Sequence, residues 1–453
     1  MSIITCSGCG YAAGPADPYP FRCPRAGTDD TDHVLTRVLC PGQTHFPATS
    51  TTPGTPTDPT NPFLHYRTLM HSYHVATARD LPDAGYCDLV ASLDASVAAT
   101  CGRGFRTTPF ARSRELSEAL AFAAAGGVWV KDETGNVLGS HKGRHLMGVL
   151  IHLAVMERCG LLDPARRPEL AVASCGNAAL AAAGLARAGG WRLTVFVPPD
   201  ADARVLRQLR DLGARVVVCP REPGALGDPA YLRLRRELDR GRALPFTTQG
   251  PENGLAIEGG LTLGYELVTD LGDAGLDHLI IQVGGGALAS SCVQALREAA
   301  DLGALTRLPR IHTVQTAGAH PLERAYARVR ALLPDEPGPE AVRTALAGAA
   351  RHRSAFMQPW PGEPRSIATG ILDDETYDWR AVVEGMLLTG GRPLVVGEDT
   401  LAGAHRLAVA RTGIPVDPTG SSGLAGLVDM RRSGEIGDHD RVAVLFTGLR
   451  RME

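Results

Sequence analysis

Two hydrophobic rhythms run along the chain. Short, almost continuous apolar runs such as Leu279-Ile280-Ile281-Gln282-Val283 are separated by longer stretches with helical spacing. The short runs predict strands over 128–133, 170–175, 193–198, 214–219, 244–248, 277–283, 310–316, 393–397 and 441–447. The longer stretches predict helices over 140–160, 177–189, 202–211, 228–240, 254–271, 287–301, 378–389, 398–412 and 423–433. Strands that alternate with helices imply right-handed crossovers and mostly parallel sheets. Strands that are apolar throughout fit sheets covered on both faces. The fold class is therefore α/β. The stretch 331–366, rich in Pro, Gly and Arg, reads as a long surface excursion or lid.

Residues 1–60 break this rhythm and form an arm. It carries Cys6-Ser7-Gly8-Cys9-Gly10 and then Cys23-Pro24, a degenerate zinc-ribbon pattern. A full ribbon needs a cysteine near position 26, where Ala26 stands; Cys40 or His33 would have to supply the fourth ligand. No residue is assigned to a metal on this pattern, because free thiols explain it as simply. Residues 47–62, rich in Pro and Thr, have the composition of a linker.

The composition adds mainly exclusions. At 453 residues, with 44% apolar and 21% charged residues, the chain has ample material for two cores. A formal net charge of −3 without a long basic run gives no reason to expect nucleic acid or membrane partners. No apolar run reaches membrane-span length and no signal-peptide pattern opens the chain, so a cytoplasmic location is the default expectation. Several of the ten cysteines lie in apolar runs, which suits reduced, buried thiols.

The candidate chemistry lies at strand-to-helix turns. Lys142, in Asn136-Val137-Leu138-Gly139-Ser140-His141-Lys142-Gly143-Arg144-His145, sits where an apolar strand gives way to a helix. Open α/β sheets keep their ligands at such turns. A lysine there, with its pKa lowered by burial and neighbouring cations, suits a Schiff base with pyridoxal phosphate. Ser174-Cys175-Gly176-Asn177-Ala178-Ala179 ends one strand and opens an Ala-rich helix. Its backbone N–H groups suit a substrate carboxylate, and Asn177 suits the ring oxygen of a pyridine cofactor; ordinary capping explains the same residues equally well. Gly284-Gly285-Gly286-Ala287-Leu288 follows a buried strand and offers convergent amides to a phosphate. A dinucleotide fingerprint competes there, since Ala289 at its sixth position fits a permissive version. Thr447-Gly448 ends the last strand, where a neutral hydroxyl facing a ring nitrogen would leave a pyridine unprotonated. The polar turn 416–427 either lines the site or serves packing.

The order lysine turn, Ser-x-Gly-Asn, triglycine and late Thr-Gly resembles the fold type II pyridoxal-phosphate enzymes, threonine synthase most closely within them. The family's Asn-Pro-Thr-Gly-Ser-Phe-Lys-Asp-Arg corresponds to Asn136–Arg144, and its Ser-Gly-Asn-Ala-Ala to Ser174–Ala179 with Cys175 inserted. Its Val-Gly-Gly-Gly-Gly-Leu corresponds to Val283–Leu288, and its Leu-Thr-Gly to Phe446-Thr447-Gly448. The N-terminal Cys-x-x-Cys-Gly and Asn61-Pro62-Phe63-Leu64-His65-Tyr66-Arg67 also look like threonine synthase entry segments. Pro-Thr is Val137-Leu138 here, Phe is His141 as in the tryptophan synthase β pattern, and Asp is Gly143.

The resemblance implies two doubly wound, mostly parallel sheet domains with a cleft between them. The small one would span 135–250, and the large one 61–134 with 251–453. It implies pyridoxal 5'-phosphate on Lys142, with Asn177 at the phenolic oxygen and Thr447 at the ring nitrogen. Gly284, Gly285, Gly286, Ala287 and Leu288 would hold the phosphate; Ser174, Gly176 and Asn177 would hold the substrate. It implies a homodimer acting on an amino acid at Cβ or Cγ, as a lyase or replacement enzyme. The substrate would be O-phosphohomoserine or a divergent one. A serine, threonine or O-activated serine β-eliminating or β-replacing enzyme is the second expectation, and a non-catalytic ligand-binding relative the third.

Overall fold

The computed structural model describes residues 1–40, 42, 44–47, 58–221 and 227–451. Most of the Pro- and Thr-rich stretch 47–62 lies outside the described residues. All nine expected strands form. In chain order the strands are β1 (Ser2–Cys6), β2 (Leu35–Leu39), β3 (Phe110–Ser113), β4 (Gly127–Asp132), β5 (Glu169–Ala173) and β6 (Leu193–Val197). They continue with β7 (Arg215–Val218), β8 (Ala243–Pro245), β9 (His278–Gln282), β10 (Arg310–Thr316), β11 (Pro393–Val396) and β12 (Arg441–Phe446).

The large sheet has the order β11-β10-β9-β12-β4-β3 and the small one β7-β6-β5-β8. Every pairing is parallel except β3 on β4, which closes one edge antiparallel. The side-chain period of two sorts the large sheet's apolar residues onto two covered faces. Val128, Val130, Ile280, Val442, Val444 and Phe446 fill one core. Leu279, Ile281, Ala443 and Leu445 fill the other. The small sheet does the same, with Leu170, Val172, Val195 and Val197 on one side and Ala171, Ala173 and Phe196 on the other.

The three strands missed by the apolar pattern are short. β1 and β2 form an antiparallel hairpin, and β3 is a partly exposed edge strand. The arm is also no detached piece. Arg37 on β2 is buried and reaches Glu298 at 2.6 Å and Glu258 at 3.2 Å, fastening the hairpin to the body. Of residues 61–134, β3 and β4 join the large sheet, Leu116 enters one of its cores, and Tyr66 and Leu69 pack with Leu261 and Tyr265. Phe63, Val75, Tyr86, Val90 and Val97 instead join the core shared by the small sheet and the helix Lys142–Arg158. The supposed lid is helical: in Pro339–Ala350, Val342, Leu346 and Ala349 are buried in the core beneath the large sheet. Helical spacing of its few apolar residues outweighs the Pro-rich flanks.

One packing detail fixes the helix that carries Lys142. It crosses the helix Ala256–Leu271 at Gly148 and Gly259, where a Cβ on Gly148 would stand 2.7 Å from the Gly259 Cα. Two glycines let the backbones touch, and no larger residue fits at either position.

Candidate functional site

β9, β12 and β4 are adjacent parallel strands, so their C-terminal ends lie side by side. The triglycine follows β9, Thr447 follows β12, and the lysine turn follows β4. This is the sheet edge at which an open α/β fold binds its ligands. Hydrogen bonds tie the turns together. The His141 N–H donates to the Thr447 carbonyl at 3.2 Å, and the Leu449 N–H to the Gly139 carbonyl at 2.8 Å. Leu138 and Gly139 both take left-handed φ angles, 56° and 76°, which turns the chain sharply just before Ser140.

Lys142 opens its helix, partly exposed to the cleft, with Nζ 3.4 Å from the Thr248 hydroxyl. Burial lowers its pKa, while Asp373 and Asp378 pull the other way. The expected help from neighbouring cations is absent from this balance. The Arg144 guanidinium is fully buried and engaged by Glu133 at 2.9 Å and Glu266 at 2.6 Å. His141 is neutral: burial, then the Lys142 charge, push it down to about 3.

Thr447 is buried, and its hydroxyl accepts a hydrogen bond from Gln282 Nε2 at 2.7 Å. The same amide nitrogen serves the carbonyls of Gly420 and Leu445 at 2.8 and 3.0 Å. Gln282 was not singled out by sequence, although a polar residue closing the apolar run Leu279-Ile280-Ile281 of β9 was a legible sign. Asn177 begins the helix Asn177–Ala188, and its Oδ1 accepts from Arg451 at 3.0 Å. A Cβ on Gly448 would lie 3.0 Å from Asn177 Nδ2, so the Ser-x-Gly-Asn turn meets the Thr-Gly strand end. Ser174 Oγ accepts weakly from the Gly176 N–H at 3.4 Å.

The triglycine turns back on the segment 371–378. Side chains there would collide: a Cβ on Gly285 would meet the Tyr377 ring at 2.8 Å, and one on Gly286 would meet Thr376 at 3.0 Å. A Cβ on Gly284 would strike the Asp373 carboxylate, which accepts a hydrogen bond from the Gly285 N–H. The cradle thus already receives an anionic oxygen. Ala287 and Leu288 continue it as the buried first turn of the helix Ala287–Asp301. Asp373 and Asp378 went unrecognised because 366–378 carries no glycine-rich or strand-end signature.

Residues 103–448 match the family described as pyridoxal-phosphate dependent enzyme. The chain belongs to this family. Its cofactor is pyridoxal 5'-phosphate. Threonine synthase from Methanocaldococcus jannaschii is 23% identical over 342 residues, 75% of this chain and 74% of that protein. Maize serine racemase superposes with a TM-score of 0.57 at 18% identity, covering 81% of this chain and 93% of that one. An L-serine ammonia-lyase from Rhizomucor miehei gives 0.57 at 21% identity, covering 77% and 95%.

The residues present fit this cofactor. Three glycines leave a cradle that side chains would fill, and an amide in it binds an oxygen anion. Around it, Ser140 Oγ, Gln282 Oε1 and Asp378 Oδ2 are buried polar atoms without a hydrogen-bond partner among the described residues. Unpaired buried polar atoms are costly, and on residues next to the lysine turn, the triglycine and its facing segment they are open to a polar ligand's hydrogen bonds.

Proposed function

We propose that the protein eliminates or replaces an oxygen-linked substituent at Cβ or Cγ of an amino acid, as threonine synthases and dehydratases do. Pyridoxal phosphate, when bound, supplies the electron sink for the Cα–H bond that is broken. Lys142 would hold it through Nζ, Gly284–Gly286 with Ala287 and Leu288 would take its phosphate, and Asn177 would face its phenolic oxygen. The observation that carries the reading is the buried Thr447 hydroxyl, fixed by Gln282 beside the lysine turn. A neutral hydroxyl in that position neither protonates a pyridine nitrogen nor deprotonates a pyridinium, which favours elimination and replacement over transamination.

Each remaining role belongs to a group of this chain. The exposed N–H groups of the helix Asn177–Ala188, preceded by Ser174 and Gly176, would hold the substrate carboxylate. Lys142, kept by burial at a lowered pKa, would take the α-proton on Nζ and return it to the leaving oxygen or to the product. Thr248, 3.4 Å from Nζ, would orient that amine.

A narrower reading concerns the leaving group. Lys142 faces Asp373 and Asp378, and Cys175 faces Asp228, Asp200 and Asp373. In this acidic wall Asp378, pushed up to about 8, is uncharged at neutral pH, while Asp373, at about 6, keeps its charge and disfavours a second phosphate beside the cofactor's own by like-charge repulsion. It supports serine, threonine or a neutral O-activated serine over O-phosphohomoserine. The test is a panel of these amino acids with the cofactor-loaded protein, reading keto-acid and phosphate release in parallel. Turnover of a hydroxy or neutral O-substituted amino acid, abolished in Lys142→Ala, is expected. Phosphate release from O-phosphohomoserine alone would overturn the narrower reading, and no α-proton exchange with any amino acid would overturn the enzyme reading. Borohydride should fix the cofactor on Lys142.

A further inference from the structure

The arm brings four ligating side chains to one point. The Sγ atoms of Cys6, Cys9 and Cys23 and a ring nitrogen of His33 all lie within 4.8 Å of one another. We infer that these residues form a structural zinc centre of the Cys3His type, which holds the wall of the cleft. The free-thiol expectation for this arm does not account for such convergence, and Cys40 is not part of the group.

The spacing is metric evidence. A tetrahedral zinc, with Zn–S of about 2.3 Å and Zn–N of about 2.0–2.1 Å, sets two sulfurs about 3.75 Å apart and a sulfur and nitrogen about 3.55 Å apart. Cys9 and Cys23 Sγ stand 3.7 Å apart, and Cys6 Sγ stands 3.5 Å from His33 Nδ1. A disulfide would need about 2.05 Å between sulfurs. The chain around each sulfur is also shaped for thiolates. The N–H groups of Gly8 and Cys9 donate to Cys6 Sγ, that of Tyr11 to Cys9 Sγ, and that of Arg25 to Cys23 Sγ. Gly10, with φ of 72°, closes the first knuckle, and the Ala26 N–H donates to the Cys23 carbonyl at 3.0 Å to close the second. Ala26 replaces the ligand a full ribbon would place there, and His33 takes its part.

His33 has the outer partner that a metal-bound imidazole requires. Its Nε2 is 3.0 Å from Asp29 Oδ1, which fixes the proton on Nε2 and leaves Nδ1 free for the metal. Binding would release three thiol protons to solvent and leave a centre of net charge −1, with no redox change.

The centre organises both sides of the cleft. From the loop it fixes, the Asp32 N–H donates to the Ala350 carbonyl at 2.7 Å, and Asp32 pairs with Arg353 at 3.2 Å. On the other side Arg22, next to Cys23, pairs with Asp239 at 2.5 Å and Glu252 at 3.1 Å. Between them lies a cavity of about 280 Å³ lined by His33, Asp228, Tyr231, Arg353, Asp374 and Tyr377. It abuts the acidic wall near Lys142 through Asp228 and Tyr377.

The test uses full-length protein purified from zinc-replete cells without chelator. Elemental analysis should find one zinc per chain in the wild type, in Lys142→Ala and in Cys40→Ser, and none in Cys9→Ser/Cys23→Ser. Cobalt(II) exchanged into the wild type should give thiolate-to-metal charge transfer and the intense visible bands of a tetrahedral site. Asp29→Asn should weaken metal binding by about 10- to 100-fold in a chelator competition. The cobalt spectrum is read on the wild type, so it stands even where the double variant fails to fold. Zinc-free wild type with no cobalt spectrum, a Cys9–Cys23 disulfide in the unreduced protein, or zinc kept by the double variant would overturn the assignment. Retention of metal by Lys142→Ala keeps this result separate from the proposed reaction.

Discussion

Arg144 grips Glu133 at two points, Nε to Oε2 and Nη2 to Oε1, both at 2.9 Å, two residues beyond Lys142. Neither side chain touches solvent, and Glu266 closes the other flank of the guanidinium at 2.6 Å. Lys131 adds a second cation, 2.6 Å from Glu266 and 3.6 Å from the partly exposed Asp270, so two buried carboxylates and one at the rim face two buried cations. Removing one member of such a set leaves an uncompensated buried charge. Arg144→Met should cost about 3–5 kcal/mol in urea unfolding. Pairing it with Glu133→Gln should recover part of that loss, which a double-mutant cycle measures.

The same pair sets an acid limit. Burial alone would raise the Glu133 carboxyl, but Arg144 overrides it and holds the group at about 2. A depressed carboxylate stabilises the fold above its unfolded pKa near 4.5 and loses that contribution as pH falls toward 2. Thermal midpoints of the wild type should therefore drop between those values. Glu133→Gln should show a smaller drop over the same window from a lower starting midpoint.

Asp378 has the opposite sign. Burial, then the Asp32 charge, push its carboxyl up to about 8, and its Oδ2 has no hydrogen-bond partner among the described residues. A raised carboxyl is no burden below its unfolded pKa near 3.8, and stability falls as pH rises through 8. Asp378→Asn keeps an oxygen for the Gly250 N–H that Asp378 accepts. In cofactor-free protein this variant should match the wild type near pH 4 and exceed it in thermal midpoint by pH 8 to 9.

The triglycine can be probed at Gly286, whose φ is 99° and whose Cβ would crowd Thr376 at 3.0 Å. Left-handed backbone costs a non-glycine residue about 1–2 kcal/mol. Gly286→Ala should weaken pyridoxal phosphate binding by about tenfold or more, read by fluorescence titration, with a small loss of stability.

Thr447→Val separates chemistry from folding. Gln282 Nε2 retains its bonds to the Gly420 and Leu445 carbonyls, so the fold should lose only about 1 kcal/mol. The cofactor's visible spectrum should shift and kcat should fall at least tenfold. An unchanged spectrum would place the hydroxyl away from the ring.

What was legible in the chain was what periodicity and turn chemistry encode. The apolar runs placed β4, β9 and β12, and the glycines and lysine that follow them fall together at the C-terminal edge of those strands. Long-range polar pairing was not legible. Arg144 reads as a cation beside Lys142, yet Glu266, from a helix far along the chain, turns its charge inward. Asp373 and Asp378 sit in a stretch without periodicity, and only the fold brings them to the triglycine. For the arm, His33 and Cys40 were both legible as a fourth ligand, and only the fold, through the β1–β2 hairpin, selects His33.

The contact between Gly148 and Gly259 has an evolutionary consequence. Drift at either site would displace the lysine's helix bodily, so the Lys142 amine is locked to its scaffold. The triglycine closes on Thr376 and Tyr377 just as tightly. Both flanks of the sheet edge are therefore held by glycines, and neither can drift without the segment packed on it.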